Sequence, residues 1–489
     1  MSSSGEALEP SLTYLRPEVL KLKQRLDDFI NDEVIPAETE YHDHMKDRHS
    51  MNERWSIDAI PSCLGRLQSR AKDIGLWNIF LPPRLLKFPH WDTTILGNEL
   101  RPSIDGGLTY REYGILAEST GKSILGSMAC NCSAPDTGNM EVLLEFGTSY
   151  QKQHYLKPLL EGKIRSTFLM TEPDVASSDP TNLETVLLIK KHKQQSSGGG
   201  GGGGDRSGDT TYTLNGTKWW STGAMDPRCR IGICVAKIVD DDDDDSDDTD
   251  TNNNSTDNLH GKHTIVMIPL PHPNVIMIRP LTVFGYDDAP FGHSEVGLEN
   301  VPLQKEHLIG GLGSGFKVSQ ARLGPGRIHH CMRSIGLAQR CYDLMLNRST
   351  ERKTFGKYLF QHGSVQNDIA ESFNDLNQAR LLTLHCAHMM DTSPNGPRGA
   401  RQYISGIKVA VPALCFRVID RALQVHGGLG VCEDTILASA WANMRTLRIA
   451  DGPDEVHRRS VARIEIKKLF LEKTSSSQQQ QQQKHKSRL

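Results

Sequence analysis

The sequence predicts an α+β fold in which helical segments flank a central β domain, and three observations carry that prediction. Apolar residues recur at helical spacing from about Ser56 to Leu160, the period then shortens into strand-like runs, and after about Gly315 the helical period returns and stays. At 489 residues the chain can bury more than one large core. The expected organisation is a helical domain over 1–165, a β domain over 166–305, a helical bundle over 306–472 and a disordered tail over 473–489.

In the first segment Leu116, Ile124, Met128, Val142, Leu143 and Phe146 fall on helical spacings around a Gly-rich break at Asp105 to Gly107. The β-type runs are Ser166 to Met170, Thr185 to Ile189, Thr211 to Leu214, Ile231 to Val239, Thr264 to Leu270 and Val275 to Leu281. Two of their connections are inflated, by glycines from Gly198 to Gly204 and by aspartates from Asp240 to Asp245 with an Asn/Thr-rich continuation to Asn258. Closure entropy grows only with the logarithm of loop length, so both read as disordered loops. The acidic run lacks the central Gly and terminal Glu of a calcium-binding EF-hand. Beyond Gly315 three stripes mark long helices: Ile328, Met332, Ile335, Tyr342 and Leu346; Val365, Ile369, Phe373, Leu376 and Ala379; and Ile404, Ile407, Val411, Leu414, Val418, Ala422 and Val425. Long antiparallel helices with short connections make a bundle.

Lysine plus arginine number 56 against 59 acidic residues, and a net charge of -3 offers no field for nucleic acid or anionic lipid. The 10 cysteines are scattered without C-x-x-C units, as in a reduced intracellular protein, and Cys130 and Cys132 read as small core side chains. No apolar run approaches the roughly 18 residues of a bilayer span. The N-terminal MSSSGEALEP has neither a signal core nor a transit-peptide composition. The chain closes on Ser487-Arg488-Leu489, a variant of the Ser-Lys-Leu address read by the peroxisomal import receptor. The polar stretch Ser475 to Gln483 before it should hold that terminus in solvent, so the peroxisomal matrix is the expected location.

The sharpest local string is Met170-Thr171-Glu172-Pro173-Asp174-Val175-Ala176-Ser177-Ser178-Asp179, whose small and hydroxylated residues leave N–H groups and hydroxyls free for a polar, planar ligand. About forty residues on comes Asn215-Gly216-Thr217-Lys218-Trp219-Trp220-Ser221-Thr222-Gly223, read as a turn followed by two tryptophans. With Glu351-Arg352-Lys353-Thr354-Phe355-Gly356 and Gln424-Val425-His426-Gly427-Gly428, these strings resemble the acyl-CoA dehydrogenase family in register from about Ser56 to Leu471. The likeness is greatest to the subgroup that forms the C-terminal part of acyl-CoA dehydrogenase family members 10 and 11, which shares T-E-P-D-V-A-S-S-D and A-D-G-P-D-E-V-H. The kinase-like domain preceding it in those longer proteins is absent from these residues.

The resemblance implies a middle β barrel or sandwich, a C-terminal four-helix bundle and FAD as cofactor. Phe168, Thr171, Ser177 and Ser221 would line FAD, Trp220 would lie against the isoalloxazine and Thr222 would hydrogen-bond near its reactive nitrogen. Arg352, beside Phe355, would pair with the pyrophosphate across a subunit boundary, making a homodimer or homotetramer obligatory. Gln424, Gly427 and Gly428 would let backbone approach the cofactor, with Pro453 and Glu455 also near it. Ser178, Arg327 and Gly452 would contact the acyl-CoA substrate.

In Arg448-Ile449-Ala450-Asp451-Gly452-Pro453-Asp454-Glu455-Val456-His457, Asp451 falls on the family's catalytic-base position, which usually holds glutamate. Aspartate is shorter by one C–C bond, roughly 1.5 Å. Other members carry the base just before an arginine on an earlier helix; here that residue is Gly326, before Arg327, which cannot accept a proton. The alternative role for Asp451 is a cap for the helix that begins near Pro453. The implied reaction is α-proton abstraction by Asp451 and β-hydride transfer to FAD, giving a trans-2-enoyl-CoA in fatty acid β-oxidation. Oxygen-using acyl-CoA oxidase or nitroalkane oxidase chemistry, and a non-catalytic acyl-CoA-binding role, are the alternatives. The sequence leaves chain length and the electron acceptor open. Gly311, Gly313 and Gly315 read as a turn, not a dinucleotide loop, and His329 and His330 lack metal-spaced partners and are assigned to packing or solvent.

Overall fold

The computed structural model describes residues 15–191, 210–240 and 261–486, and these fall into two compact units, Met1–Gly326 and Arg327–Leu489. The Gly and Asp tracts that sequence analysis reads as disordered loops lie largely outside the described residues, as does Ser487-Arg488-Leu489.

The first unit opens with helices that the periodicity reading did not single out, α1 (Pro17–Phe29) and α2 (Ile35–Lys46). Proline sits in the first turn of each, where its missing N–H would be unpaired anyway. Val19, Leu22, Leu26 and Phe29 form the buried stripe of α1. Next come α3 (Ser62–Asp73), α4 (Tyr110–Gly121) and α5 (Asp136–Phe146). A capping box starts α4: Thr109 Oγ1 accepts the Glu112 N–H while the Glu112 carboxylate accepts the Thr109 N–H.

Eight strands follow: β1 (Arg165–Leu169), β2 (Val186–Lys191), β3 (Thr210–Thr222), β4 (Cys229–Asp240), β5 (His263–Pro269), β6 (Val275–Leu281), β7 (His293–Leu303) and β8 (Leu308–Ile309). They form one mixed sheet in the order β6-β7-β3-β2-β4-β5-β8, with β1 parallel to the first half of β4 and β2 parallel to its second half. Leu187, Leu214, Val266, Ile268, Val296, Leu298 and Val301 anchor its core. The helix–sheet–helix succession agrees with the α+β expectation.

Two local expectations are corrected. β7 was not read as a strand, yet it is the antiparallel partner of both β3 and β6. Asn215-Gly216, read as a turn, continues β3, because β2 pairs with Asn215 on one edge and β7 pairs with Gly216 on the other. Gly216 has φ 147°, and a Cβ there would stand 2.5 Å from Thr185 Oγ1, so the close approach of β2 demands glycine.

The helix α6 (Gly315–Glu351) carries the chain out of the first unit, with Pro325 inside it. In the second unit α8 (Arg401–His426) packs against α7 (Gly363–Thr392), α9 (Leu437–Thr446) and α10 (Asp454–Lys486). Contrary to the expectation of no span-like run, α8 is long and apolar enough by composition to cross a membrane, but most of that window is buried among its neighbours, as in the core helix of a bundle. α10 runs on to Lys486, so the tail expected to be disordered from 473 is largely helical. Glutamine is a good helix former, and a helix already nucleated propagates cheaply.

Candidate functional site

Candidate residues occur in both units, and each set has its own local geometry. In the first, β1 delivers Phe168 and the loop after it. Asp136 on α5 accepts from Arg165 Nη1 (3.0 Å), the Ser166 N–H (2.8 Å) and Ser166 Oγ (2.5 Å), a buried network that fixes the strand to the helical part. Asn139, one turn along α5, donates to Ser166 Oγ (2.9 Å) and accepts from Arg322 Nε (3.1 Å). The Arg322 guanidinium then lies 3.9 Å from the Phe168 ring centroid, a cation–π contact that holds the ring.

The loop carrying Thr171, Ser177 and Ser178 is tied down by a buried ion pair. Lys218 Nζ on β3 donates to Glu172 Oε1 (2.7 Å), the Met170 carbonyl (3.1 Å) and the Val235 carbonyl (2.8 Å), with Lys218 0% exposed. The Glu172 carboxylate also accepts the N–H groups of Glu184 (2.7 Å) and Thr185 (3.0 Å). Burial pushes the Glu172 carboxyl up, but the Lys218 ammonium and these donors more than offset it, and the group titrates below its ordinary range. Thr171 accepts the Trp219 N–H through its carbonyl (2.9 Å), and Ser177 Oγ accepts the Glu172 N–H (3.0 Å). Ser177 therefore closes its own loop, and Ser178 is exposed.

On β3 the register shifts between Lys218 and Ser221, a bulge that puts Trp220 at φ 50° and turns its side chain outward, 38% exposed. Its indole meets Trp219 (centroids 6.3 Å) and His293 (5.5 Å) edge to face. Thr222 Oγ1 pairs with His293 Nδ1 at 2.9 Å. Ser221 Oγ is fully buried with no hydrogen-bond partner among the described residues. An outward aromatic face suits a planar ring such as a flavin.

In the second unit Asp451 and Gly452 form a left-handed turn, φ 55° and 100°, between α9 and α10. Arg327 Nε (3.0 Å) and His457 Nε2 (3.1 Å) both address the Asp451 carbonyl. Burial lowers the His457 pKa to about 4, so the ring is neutral and its Nε2–H donates. Lys408, 1% exposed, donates to the Leu447 carbonyl and reaches that of Gly452 at 3.5 Å. Burial also lowers the pKa values of Lys408 and Arg327, against the opposing pull of nearby Asp451. The Asp451 side chain stays 20% exposed, with Oδ2 3.5 Å from His330 Nε2. Asp454 instead accepts from Arg448 Nη2 at 2.8 Å with its side chain 4% exposed, committed to the turn.

Arg352 and Phe355 lie on a short hairpin, Lys353–Thr354 paired with Lys357–Tyr358; Phe355 sits at its tip with φ 50° and 98% of its surface exposed. Gln424, Gly427 and Gly428 are exposed at the end of α8, and a Cβ on either glycine would meet nothing within 4 Å. Glu455 is exposed in the first turn of α10, next to half-buried Pro453. Sequence reasoning missed Arg322, Lys408 and His457, and it assigned His330 to packing or solvent. Of these only His457 carried a signal, its i+6 spacing from Asp451 across a Gly-Pro turn.

The sequence matches the family profiles "Acyl-CoA dehydrogenase, N-terminal domain" over 95–163, "middle domain" over 167–301 and "C-terminal domain" over 313–465. It is 42% identical to Acyl-CoA dehydrogenase family member 11 of Gallus gallus over 92% of this chain and 50% of that protein. It is 41% identical to FadE2 of Mycobacterium tuberculosis, named as a probable acyl-CoA dehydrogenase, over 92% of this chain and 95% of that one. The solved structure of a candidate acyl-CoA dehydrogenase from Mycobacterium abscessus superposes with a TM-score of 0.77 at 39% identity, covering 93% of this chain and 99% of that one. The chain spans about half the length of the family member 11 relative and of the Arabidopsis thaliana relative IBR3. With three consecutive profiles matched in order and a relative matched along nearly its whole length, the chain belongs to the acyl-CoA dehydrogenase family of FAD-dependent oxidoreductases.

Proposed function

We propose that this chain desaturates an acyl-CoA between its α and β carbons, with Asp451 as the base that removes the α-proton and a trans-2-enoyl-CoA as product. The observation that carries the reading is the Asp451 turn, where Arg327 and His457 fix the backbone while the carboxylate remains accessible. An α-proton beside a thioester is too weakly acidic for an aspartate in water, so the site must stabilise the enolate as it forms. The Glu455 N–H, in the unpaired first turn of α10, is a candidate donor to the thioester oxygen. FAD, when bound, supplies the acceptor for the β-hydrogen as hydride. Phe168, Thr171, Ser177, Trp220, Ser221 and Thr222 would hold it from the first unit; Trp220 would cover the ring and exclude water.

The exposed Phe355 beside Arg352 supports an assembly in which the hairpin serves a neighbouring subunit's cofactor phosphates. Ser178, Arg327 and Gly452 are the proposed substrate contacts, and a role in fatty acid β-oxidation follows from the product. The terminal Ser487-Arg488-Leu489 supports peroxisomal import; deleting it from a fluorescent fusion should turn punctate signal diffuse, and unchanged puncta would refute it. For the chemistry, Asp451→Asn should fold and keep its yellow cofactor but fail to bleach under anaerobic acyl-CoA. Full bleaching by that variant refutes the assignment.

A further inference from the structure

We propose that His330 is a positioning residue for the Asp451 carboxylate, giving it a directed N–H from α6. The inference rests on Asp451 being the base. Its geometry lies wholly within the second unit. His330 Nε2 stands 3.5 Å from Asp451 Oδ2, with the two side chains 24% and 20% exposed. That separation is at the outer edge of a hydrogen bond, so a small rotation of either side chain makes the contact good.

The neighbours decide which ring nitrogen carries the proton. Arg333 Nη2 lies 3.4 Å from His330 Nδ1. A guanidinium only donates, so Nδ1 is the accepting nitrogen and the ring proton sits on Nε2, facing Asp451. Among the described residues, the charged and titratable groups around the pair include Arg327, His329, Cys331 and Arg333 on α6, Arg401 and Lys408 on α8, and Asp454 and His457 on α10. His330 then presents its Nε2–H to the Asp451 carboxylate.

Arg327 and His330 are three residues apart on one helix face. Arg327 holds the carbonyl of Asp451 and His330 faces its carboxylate, so one turn of α6 grips both ends of the same residue. An N–H on Oδ2 favours the ionised acid and leaves Oδ1 for the incoming proton. In turnover that proton passes from the substrate α-carbon to Oδ1, while the imidazole keeps its own.

The test uses the holoprotein as His330→Leu, which removes the donor, and His330→Gln, whose side-chain N–H₂ replaces Nε2–H. Anaerobic flavin bleaching is followed against pH with whichever straight-chain acyl-CoA bleaches wild type fastest. FAD content and thermal midpoint, measured alongside, should match wild type in both. The acid limb of the rate profile should move upward by roughly half to one pH unit in His330→Leu and return close to wild type in His330→Gln. An unmoved limb in His330→Leu, or an equal shift in both variants, overturns the proposal. Asp451→Asn run in parallel separates the two readings. If it bleaches, the base assignment falls and takes His330 with it; if it is silent while the His330→Leu limb stays put, only the role of His330 falls.

Discussion

Replacing Lys218 by methionine tests whether the Thr171–Ser178 loop is held electrostatically. In the native protein the ammonium satisfies Glu172 Oε1 at 2.7 Å and the carbonyls of Met170 and Val235, all with the lysine fully buried. Methionine keeps most of the volume but leaves a buried carboxylate without its counter-charge and two carbonyls without a donor. Breaking one side of such a pair costs about 3–5 kcal/mol. The Glu184 and Thr185 N–H groups still reach Glu172, which places the cost toward the lower end. The sign with pH follows from Glu172. Its lowered native pKa contributes stability above the ordinary carboxylate value, lost as pH falls through the folded value. In Lys218→Met the lone buried acid has a raised pKa, so the variant is penalised increasingly as pH rises from about 4.5 toward 7. Urea unfolding followed by tryptophan fluorescence at pH 7 and pH 5 should give a deficit of about 3 kcal/mol at pH 7, shrinking at pH 5. Adding Glu172→Gln to Lys218→Met should recover part of it. A deficit under about 1 kcal/mol at pH 7, or one that grows as pH falls, refutes the reasoning.

Glu141 on α5 is buried with both carboxylate oxygens lacking a hydrogen-bond partner among the described residues, and burial pushes its pKa up to about 8 against the pull of Arg84. A raised folded pKa contributes stability that is fully present below the ordinary value of 4.5 and is lost as pH rises from there through about 8, so Glu141→Gln should be more stable than wild type at pH 8.5 and similar near pH 4.5. Thermal melts at both pH values check this, and parallel pH dependence would sink it. Gly452→Ala places a Cβ 2.9 Å from His457 Nε2 at φ 100°, and should lose about 1–3 kcal/mol and slow flavin bleaching by displacing the carbonyl clamp; an unchanged melt and rate would show the turn tolerates it.

How far the sequence could be read follows from which signals are local. The runs now seen as β1, β4, β5 and β6 are dense in β-branched and apolar residues and were found; β7 was missed because Gly297, Asn300 and Pro302 interrupt its alternation. Its burial of Val296, Leu298 and Val301 depends on partners far along the chain. The same applies to Asn215-Gly216, a turn by composition and a strand by pairing on both edges. Asp451 and Trp220 could be singled out because their strings are contiguous. His330 and Lys408 were not, since each reaches the turn at Asp451 from a helix dozens of residues away, and neither periodicity nor spacing records that approach.

The backbone at position 451 also bears on which acid the chain can use there. With φ at 55°, the residue occupies a basin that aspartate and asparagine enter far more readily than longer side chains, because their short polar groups can bond locally. Lengthening the acid to glutamate would add reach but load strain onto a corner already clamped at its carbonyl. The shorter carboxylate is thus matched to the shape of the peptide that bears it.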